Sequence, residues 1–195
     1  MKYSELLKEN LETEIKPLLE KISKDFSPEA VLFAAKGGFY LGQQASRYFC
    51  VPMFEAHAER KGGKIKKILA PIIKIIPKKL KIFLRKMEVL SNVHKNSTVR
   101  NIYINNPAIF SYKKILFIDD SIDTGATALA IIEKFKNKNI TIKTAALNIM
   151  TDSLKNIKTD YYIHNDTMIC GPWSSDSHEN KIFLQDYYNW KKSNG

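Results

Sequence analysis

The stretch that most constrains this chain is Lys114-Ile115-Leu116-Phe117-Ile118-Asp119-Asp120-Ser121-Ile122-Asp123-Thr124-Gly125-Ala126-Thr127. It opens with a short apolar run, the composition of a strand buried on both faces. Two adjacent carboxylates follow where that strand should end. A small, hydroxyl-rich turn surrounds Gly125, and Ala128 to Phe135 has helical spacing. The first N–H groups of a helix lack internal partners, and the helix dipole favours negative charge there. Thr124 and Thr127 add hydroxyl donors, and Gly125 lets the backbone close around a ligand. Strand, acidic tip, small loop and helix in this order predict an anion site.

Carboxylates beside a phosphate loop suit a ligand that carries both phosphate and sugar hydroxyls. Ionised Asp accepts hydrogen bonds from a diol and can hold Mg²⁺, often through water. Residues 115–127 resemble the phosphoribosyl-pyrophosphate (PRPP) signature of type I phosphoribosyltransferases. The resemblance implies that Asp119 and Asp120 grip the ribose diol and the metal. It gives the 5′-phosphate to Asp123, Thr124, Gly125, Ala126 and Thr127. The plainer alternative is an ordinary strand–turn–helix with surface carboxylates.

A second corner of the same kind lies upstream. Glu29 to Ala35 reads as a buried strand that runs into Lys36-Gly37-Gly38, and Phe39 to Tyr48 is helical in pattern. Paired glycines admit close backbone approach to an anion, and Lys36 supplies charge. Lys36, Gly37 and Gly38 are similar to the family's pyrophosphate loop. In relatives the peptide before that glycine can be cis, so Lys36–Gly37 is the expected cis bond.

The chain of 195 residues is long enough for one domain with a sizeable core. No stretch has the length and purity of a membrane-crossing helix, and the N-terminus lacks a signal-peptide pattern. The two cysteines, Cys50 and Cys170, form neither a framework nor a metal spacing, which suggests a reducing cytoplasm. The net charge of +11 is uneven: residues 60–86 hold eleven Lys/Arg and no acid, and the remainder is balanced at 20 basic and 20 acidic groups. The pattern is a neutral domain with a basic insert.

Tyr3 to Ser23 has the apolar spacing of an amphipathic helix, packed on the domain edge or against a second subunit of a homodimer, with Pro17 kinking or splitting it. Val51 to Ala58 reads as a second strand, in which Glu55 and His57 have a catalytic and a structural reading, the structural one preferred. In the family a mobile loop follows this strand; Arg60, Lys61, Gly62 and Gly63 match it in type, and Arg60 is an acceptor-side candidate. Lys64 to Asn96 is a departure, with apolar residues on one helical face and Lys/Arg on the other. A hairpin packed over the active site is the preferred reading. Residues 64–90 on an anionic membrane surface come next, and nucleic acid is disfavoured for want of stacking aromatics and a reader motif.

Val99 to Asn105, Ile140 to Asn148 and Asp160 to Ile163 complete the strands. The alternation predicts an α/β fold of the type I phosphoribosyltransferase kind: a mostly parallel sheet flanked by helices, with ligands at the strands' carboxyl ends. The expected organisation is a single domain over 1–195, with an insert at about 60–96 and a small C-terminal hood at about 148–195. The tail Ile169 to Glu179 resembles the hood of xanthine–guanine-type enzymes, where Trp173 would stack on a flat base; a core-plugging Trp is the alternative. Purine-specific relatives carry a Lys just after the strand matching 141–147, and this chain has none until Lys155.

The resemblance implies Mg²⁺-dependent transfer of phosphoribosyl from PRPP with release of pyrophosphate. Lys36 would stabilise the leaving group, and Asp123 would be the general base. The missing purine Lys and the insert favour a non-standard acceptor, such as a hydroxyl of a membrane-associated glycan in polysaccharide biosynthesis. That reading carries a cytoplasmic or peripheral-membrane location with it. Purine salvage is the alternative, and a non-catalytic PRPP sensor the third reading.

Overall fold

A computed structural model of the chain describes residues 2–59, 101–104 and 106–194. Eight strands are described: β1 (Lys2–Glu5), β2 (Ala30–Ala34), β3 (Met53–Glu59), β4 (Asn101–Ile104), β5 (Lys114–Ile122), β6 (Thr141–Ile149), β7 (Tyr161–Asn165) and β8 (Thr167–Cys170). The helices are α1 (Leu11–Ser23), α2 (Phe39–Phe49), α3 (Ala126–Phe135) and α4 (Asn180–Asn194). Six strands form one sheet in the order β4-β3-β2-β5-β6-β7. All its pairings are parallel except β3–β4. The expected mostly parallel α/β architecture is therefore present.

The strand pleat sorts the core into two layers. Val31, Phe33, Leu116, Ile118, Ala145 and Leu147 point to the side covered by α1, α2 and α4. Leu32, Ile115, Phe117, Ala146 and Ile149 point to the side covered by α3. Both faces of β2 and β5 are thus apolar, which is why these strands read as unbroken hydrophobic runs. With the middle of the sheet sealed on both sides, polar chemistry is left to the strand ends.

Several expectations shift. The helix expected over residues 3–23 begins only at Leu11, and residues 2–5 instead pair in parallel with β8 as a separate two-stranded ribbon. The Leu6 N–H donates to Cys170 O at 3.0 Å, which continues the ladder. An extended segment here satisfies the exposed edge of β8, which helical residues 3–10 could not do. Pro17 neither splits nor ends α1. It lies on the solvent face, where water can satisfy the carbonyl four residues back. The cis peptide is Ala35–Lys36, one bond ahead of the expected Lys36–Gly37. Strand β5 does not stop before the carboxylates but runs on through Ile122. The insert, residues 60–96, lies outside the described residues, as does Arg60. Among the described residues no helix is long and apolar enough to cross a membrane.

Candidate active site

The carboxyl ends of β2, β3 and β5 and the first turn of α3 surround a cavity of about 270 Å³. Its floor is small: Ala34 at the end of β2 and Ala35 after it, with Ala56 and Ala58 on β3. Its polar wall is Asp119, Asp120, Ser121, Asp123 and Thr124, followed by Gly125, Ala126 and Thr127. Parallel strands put these ends side by side, because β2 pairs with both β3 and β5.

The turn into α3 has its shape for identifiable reasons. Gly125, the N-cap of α3, has φ +76°, a left-handed conformation costly for any residue with a Cβ. A Cβ there would also stand 2.4 Å from Ile157 Cγ2. The Ala126 N–H reaches back to Thr124 Oγ1 at 3.4 Å, and Asn156 Nδ2 donates to the Thr124 carbonyl at 3.2 Å. The loop is tied from outside, and the first turn of α3, whose N–H groups lack intrahelical acceptors, faces the cavity.

Asp119 and Asp120 are half-buried by surface area yet surrounded by protein atoms. Burial drives the Asp119 carboxyl well above the usual carboxylate range, and the neighbouring Asp120 charge pushes the same way. Asp120 is raised as well, again by burial, although hydrogen-bond donors around it offset part of the shift. The Asp120 N–H donates to Asp119 Oδ1 at 2.9 Å, which fixes the pair's relative orientation. Two adjacent carboxylates at a strand end can accept from ligand hydroxyls or hold a divalent ion through water. Among the described residues no cluster of three or more metal-binding side chains stands ready to hold an ion.

The cavity brings together Gly37, Asp119, Asp120, Asp123, Thr124, Gly125, Ala126 and Thr127 from the expected set. It does not bring Lys36, Gly38 or Trp173. Lys36 turns the other way: its Nζ donates to Tyr188 Oη at 2.8 Å and stands 4.8 Å from that ring's centroid on α4. An aromatic partner on α4 thus holds this ammonium in the free protein. Gly38 caps α2 and packs on backbone, where a Cβ would come 2.7 Å from Ile118 O. Trp173 does not line the cavity; it lies over Gly171 and packs against the core, with its buried indole N–H on the side of Asp120, where it favours that carboxylate's charge.

Glu55 faces α4 and not the cavity. It accepts from Tyr187 Oη, and Lys191 Nζ donates to its second oxygen at 2.8 Å. His57 is an exposed residue of β3, across from Tyr103 on β4. Sequence reasoning missed Ser121 and Asn148, which meet across β5 and β6. It also missed the alanines of the floor; small residues at the ends of two apolar strands are the signal that could have found them.

A mostly parallel sheet, a tight glycine loop after its first core strand and an acidic strand end running into a helix form one corner of an α/β fold. The chain belongs to the phosphoribosyltransferase family: the family model described as phosphoribosyl transferase domain matches residues 2–174. No curated protein matches the chain in sequence. Among solved structures, the Pyrococcus horikoshii OT3 purine phosphoribosyltransferase is 20% identical, covers 90% of this chain and 95% of its own, and superposes with a TM-score of 0.59. The Helicobacter pylori xanthine–guanine–hypoxanthine phosphoribosyltransferase is 17% identical over 92% of this chain and 99% of its own, with a TM-score of 0.63. A hypothetical protein from Neisseria gonorrhoeae with bound ppGpp is 14% identical over 95% and 98%, at 0.57. At such identities the likeness is one of fold.

Proposed function

We propose that this enzyme transfers phosphoribosyl from PRPP to a nitrogenous base of the purine class, releasing pyrophosphate. The observation that carries the reading is the single cavity that joins the acidic pair to the 123–127 turn. In the proposed complex, Asp119 and Asp120 accept hydrogen bonds from the ribose hydroxyls, and the loop and first turn of α3 donate to the 5′-phosphate. The base nitrogen attacks ribose C1, the bond from C1 to the pyrophosphate oxygen breaks, and the nitrogen's proton passes to Asp123. Asp119 and Asp120 would hold Mg²⁺ through water, and the ion would supply positive charge to the departing pyrophosphate. Gly37 leaves room for the donor beside Asp120. Lys36, on the loop beside Gly37, would neutralise the departing pyrophosphate once its ammonium leaves Tyr188.

The purine acceptor draws support from the fold neighbours, which are purine enzymes by their descriptions. The glycan-hydroxyl acceptor and the membrane location expected from the sequence rested on residues 60–96, outside the described part, and on the absent purine Lys. The named purine enzymes favour the purine reading instead. The reading keeps one domain over 1–195, with residues 148–195 as the hood.

The test is PRPP with Mg²⁺ and each of xanthine, guanine and hypoxanthine, following pyrophosphate release and nucleotide formation. Nucleotide from at least one base is expected. PRPP with Mg²⁺ should also raise the melting temperature, by an amount equivalent to about 2.7 kcal/mol at a hundredfold excess over Kd. An unchanged melting temperature together with no nucleotide from any base would overturn the proposal.

A further inference from the structure

Asp123 is exposed and stands on a turn, so something must hold its carboxylate in place for proton transfer. Three hydrogen bonds do so in series. The backbone N–H of Thr167, at the start of β8, donates to Asn148 Oδ1 at 3.0 Å. Asn148 Nδ2 donates to Ser121 Oγ at 3.1 Å, and Ser121 Oγ donates to Asp123 Oδ1 at 2.9 Å. Asn148 and Ser121 are direct neighbours in the β5–β6 ladder, so the middle link is built into strand register.

The direction of this series is dictated by chemistry. A backbone N–H can only donate, so the oxygen of the Asn148 amide must face Thr167. The NH₂ group must then face Ser121. A carboxylate oxygen can only accept, so the Ser121 hydroxyl turns its hydrogen towards Asp123. Asn148 is only 1% exposed, so no rotation of the amide finds solvent as a substitute partner. The series runs from the hood ribbon, through the sheet, to the cavity.

We propose that Asn148 and Ser121 are positioning residues that hold Asp123 Oδ1 as a proton acceptor, aimed by the placement of β8. This rests on the reading of Asp123 as the group that takes the acceptor's proton. A plain structural role, in which Ser121 merely satisfies a buried amide, would show in stability and leave kcat alone.

The experiment uses the full chain with PRPP, Mg²⁺ and whichever of xanthine, guanine and hypoxanthine the wild type turns over fastest. Asp123→Asn tests the underlying reading and should lower kcat about 100-fold or more. Ser121→Ala should lower kcat about 10-fold or more, the loss expected for a hydrogen bond to a charged group, with KM for PRPP within about twofold. Ser121→Thr keeps the hydroxyl and should recover most of that loss. Asn148→Asp keeps shape but turns the donor into an acceptor, so Ser121 gives its hydrogen to residue 148 and kcat should fall as in Ser121→Ala. If Asp123→Asn retains wild-type turnover, the function reading fails. If Asp123→Asn is dead while Ser121→Ala has wild-type kcat, the positioning proposal alone is overturned. Should the wild type turn over no purine, the side-chain amide protons of Asn148 still report the series by NMR. They should exchange slowly and shift in Ser121→Ala; fast exchange and no shift would refute it.

Discussion

Gly37 and Gly38 are adjacent, yet the structure assigns them opposite reasons for being glycine. A Cβ on Gly37 would stand 2.1 Å from Asp120 Oδ1 and 2.6 Å from its Cγ. Ordinary carbon–oxygen contact begins beyond about 3 Å, so Gly37→Ala drives the carboxylate back by roughly an ångström. The displaced atom belongs to a side chain, and the fold absorbs the change cheaply. The site does not, because a misplacement of about 1 Å costs on the order of 100-fold in rate, equivalent to about 2.7 kcal/mol. A Cβ on Gly38 would stand 2.7 Å from Ile118 O and about 3 Å from the Ala34 backbone. Those atoms belong to β5 and β2 and cannot step aside, so Gly38→Ala should cost stability, about 1–3 kcal/mol. For a domain of this size that is roughly 2–4 °C in melting temperature per kcal/mol. Thermal unfolding and steady-state kinetics on both variants read the two costs separately. Gly37→Ala should keep its melting temperature and lose about 100-fold in kcat/KM for PRPP. A Gly37→Ala enzyme with wild-type kcat/KM would show that Asp120 has no fixed place in the donor site.

Asp120→Asn and Thr124→Ala should each weaken PRPP binding, read by calorimetry in Mg²⁺, with the melting temperature of the free protein nearly unchanged. For Asp160, burial opposes the charge, but Lys143 Nζ at 2.8 Å and the Thr144 N–H and hydroxyl outweigh it and lower its pKa. A lowered folded-state pKa stabilises above the unfolded value of about 4 and is lost as pH falls through the folded one. The melting-temperature gap between wild type and Asp160→Asn should therefore be widest near neutrality and close below about pH 4. Lys191→Met removes the ammonium partner of the buried Glu55 carboxylate, while the Tyr187 hydroxyl still donates to it. It should cost about 1–3 kcal/mol, less than for a wholly buried pair because a third of the Lys191 side chain is in solvent.

How much of this could be read beforehand depends on the range of the physics involved. The Ile115–Thr127 motif was legible because every part of it is local: a buried run, carboxylates, a left-handed glycine and a helix start follow one another in the chain. Strands β2, β5 and β6 were legible for the same reason. Helix α4 was not foreseen. Its mean apolar character is low, and what holds it is distant: Phe183 and Tyr187 stack around Phe39, and Trp190 meets Phe33 at 5.1 Å. Strand β1 was misread because Leu6 and Leu7 extend the helical spacing of α1, whereas the edge of β8 lies far off in sequence. The turn of Lys36 towards Tyr188 depends on that same unforeseen helix. Ser121 and Asn148 look like ordinary strand polar residues until register places them side by side.

The ribbon of β1 and β8 couples segments far apart in the chain: Lys2 is in register with Thr167. Bringing such distant residues together is slow, since the entropy of closing a long loop must be met before the contact returns anything. On a ribosome, β1 emerges well before β8 and cannot find its seat until β8 has followed. The N–H that starts the line to Asp123 belongs to this late-forming ribbon. A nascent chain would display the acidic motif and its phosphate turn well before it could fix its base, so binding competence should precede turnover as the polypeptide matures.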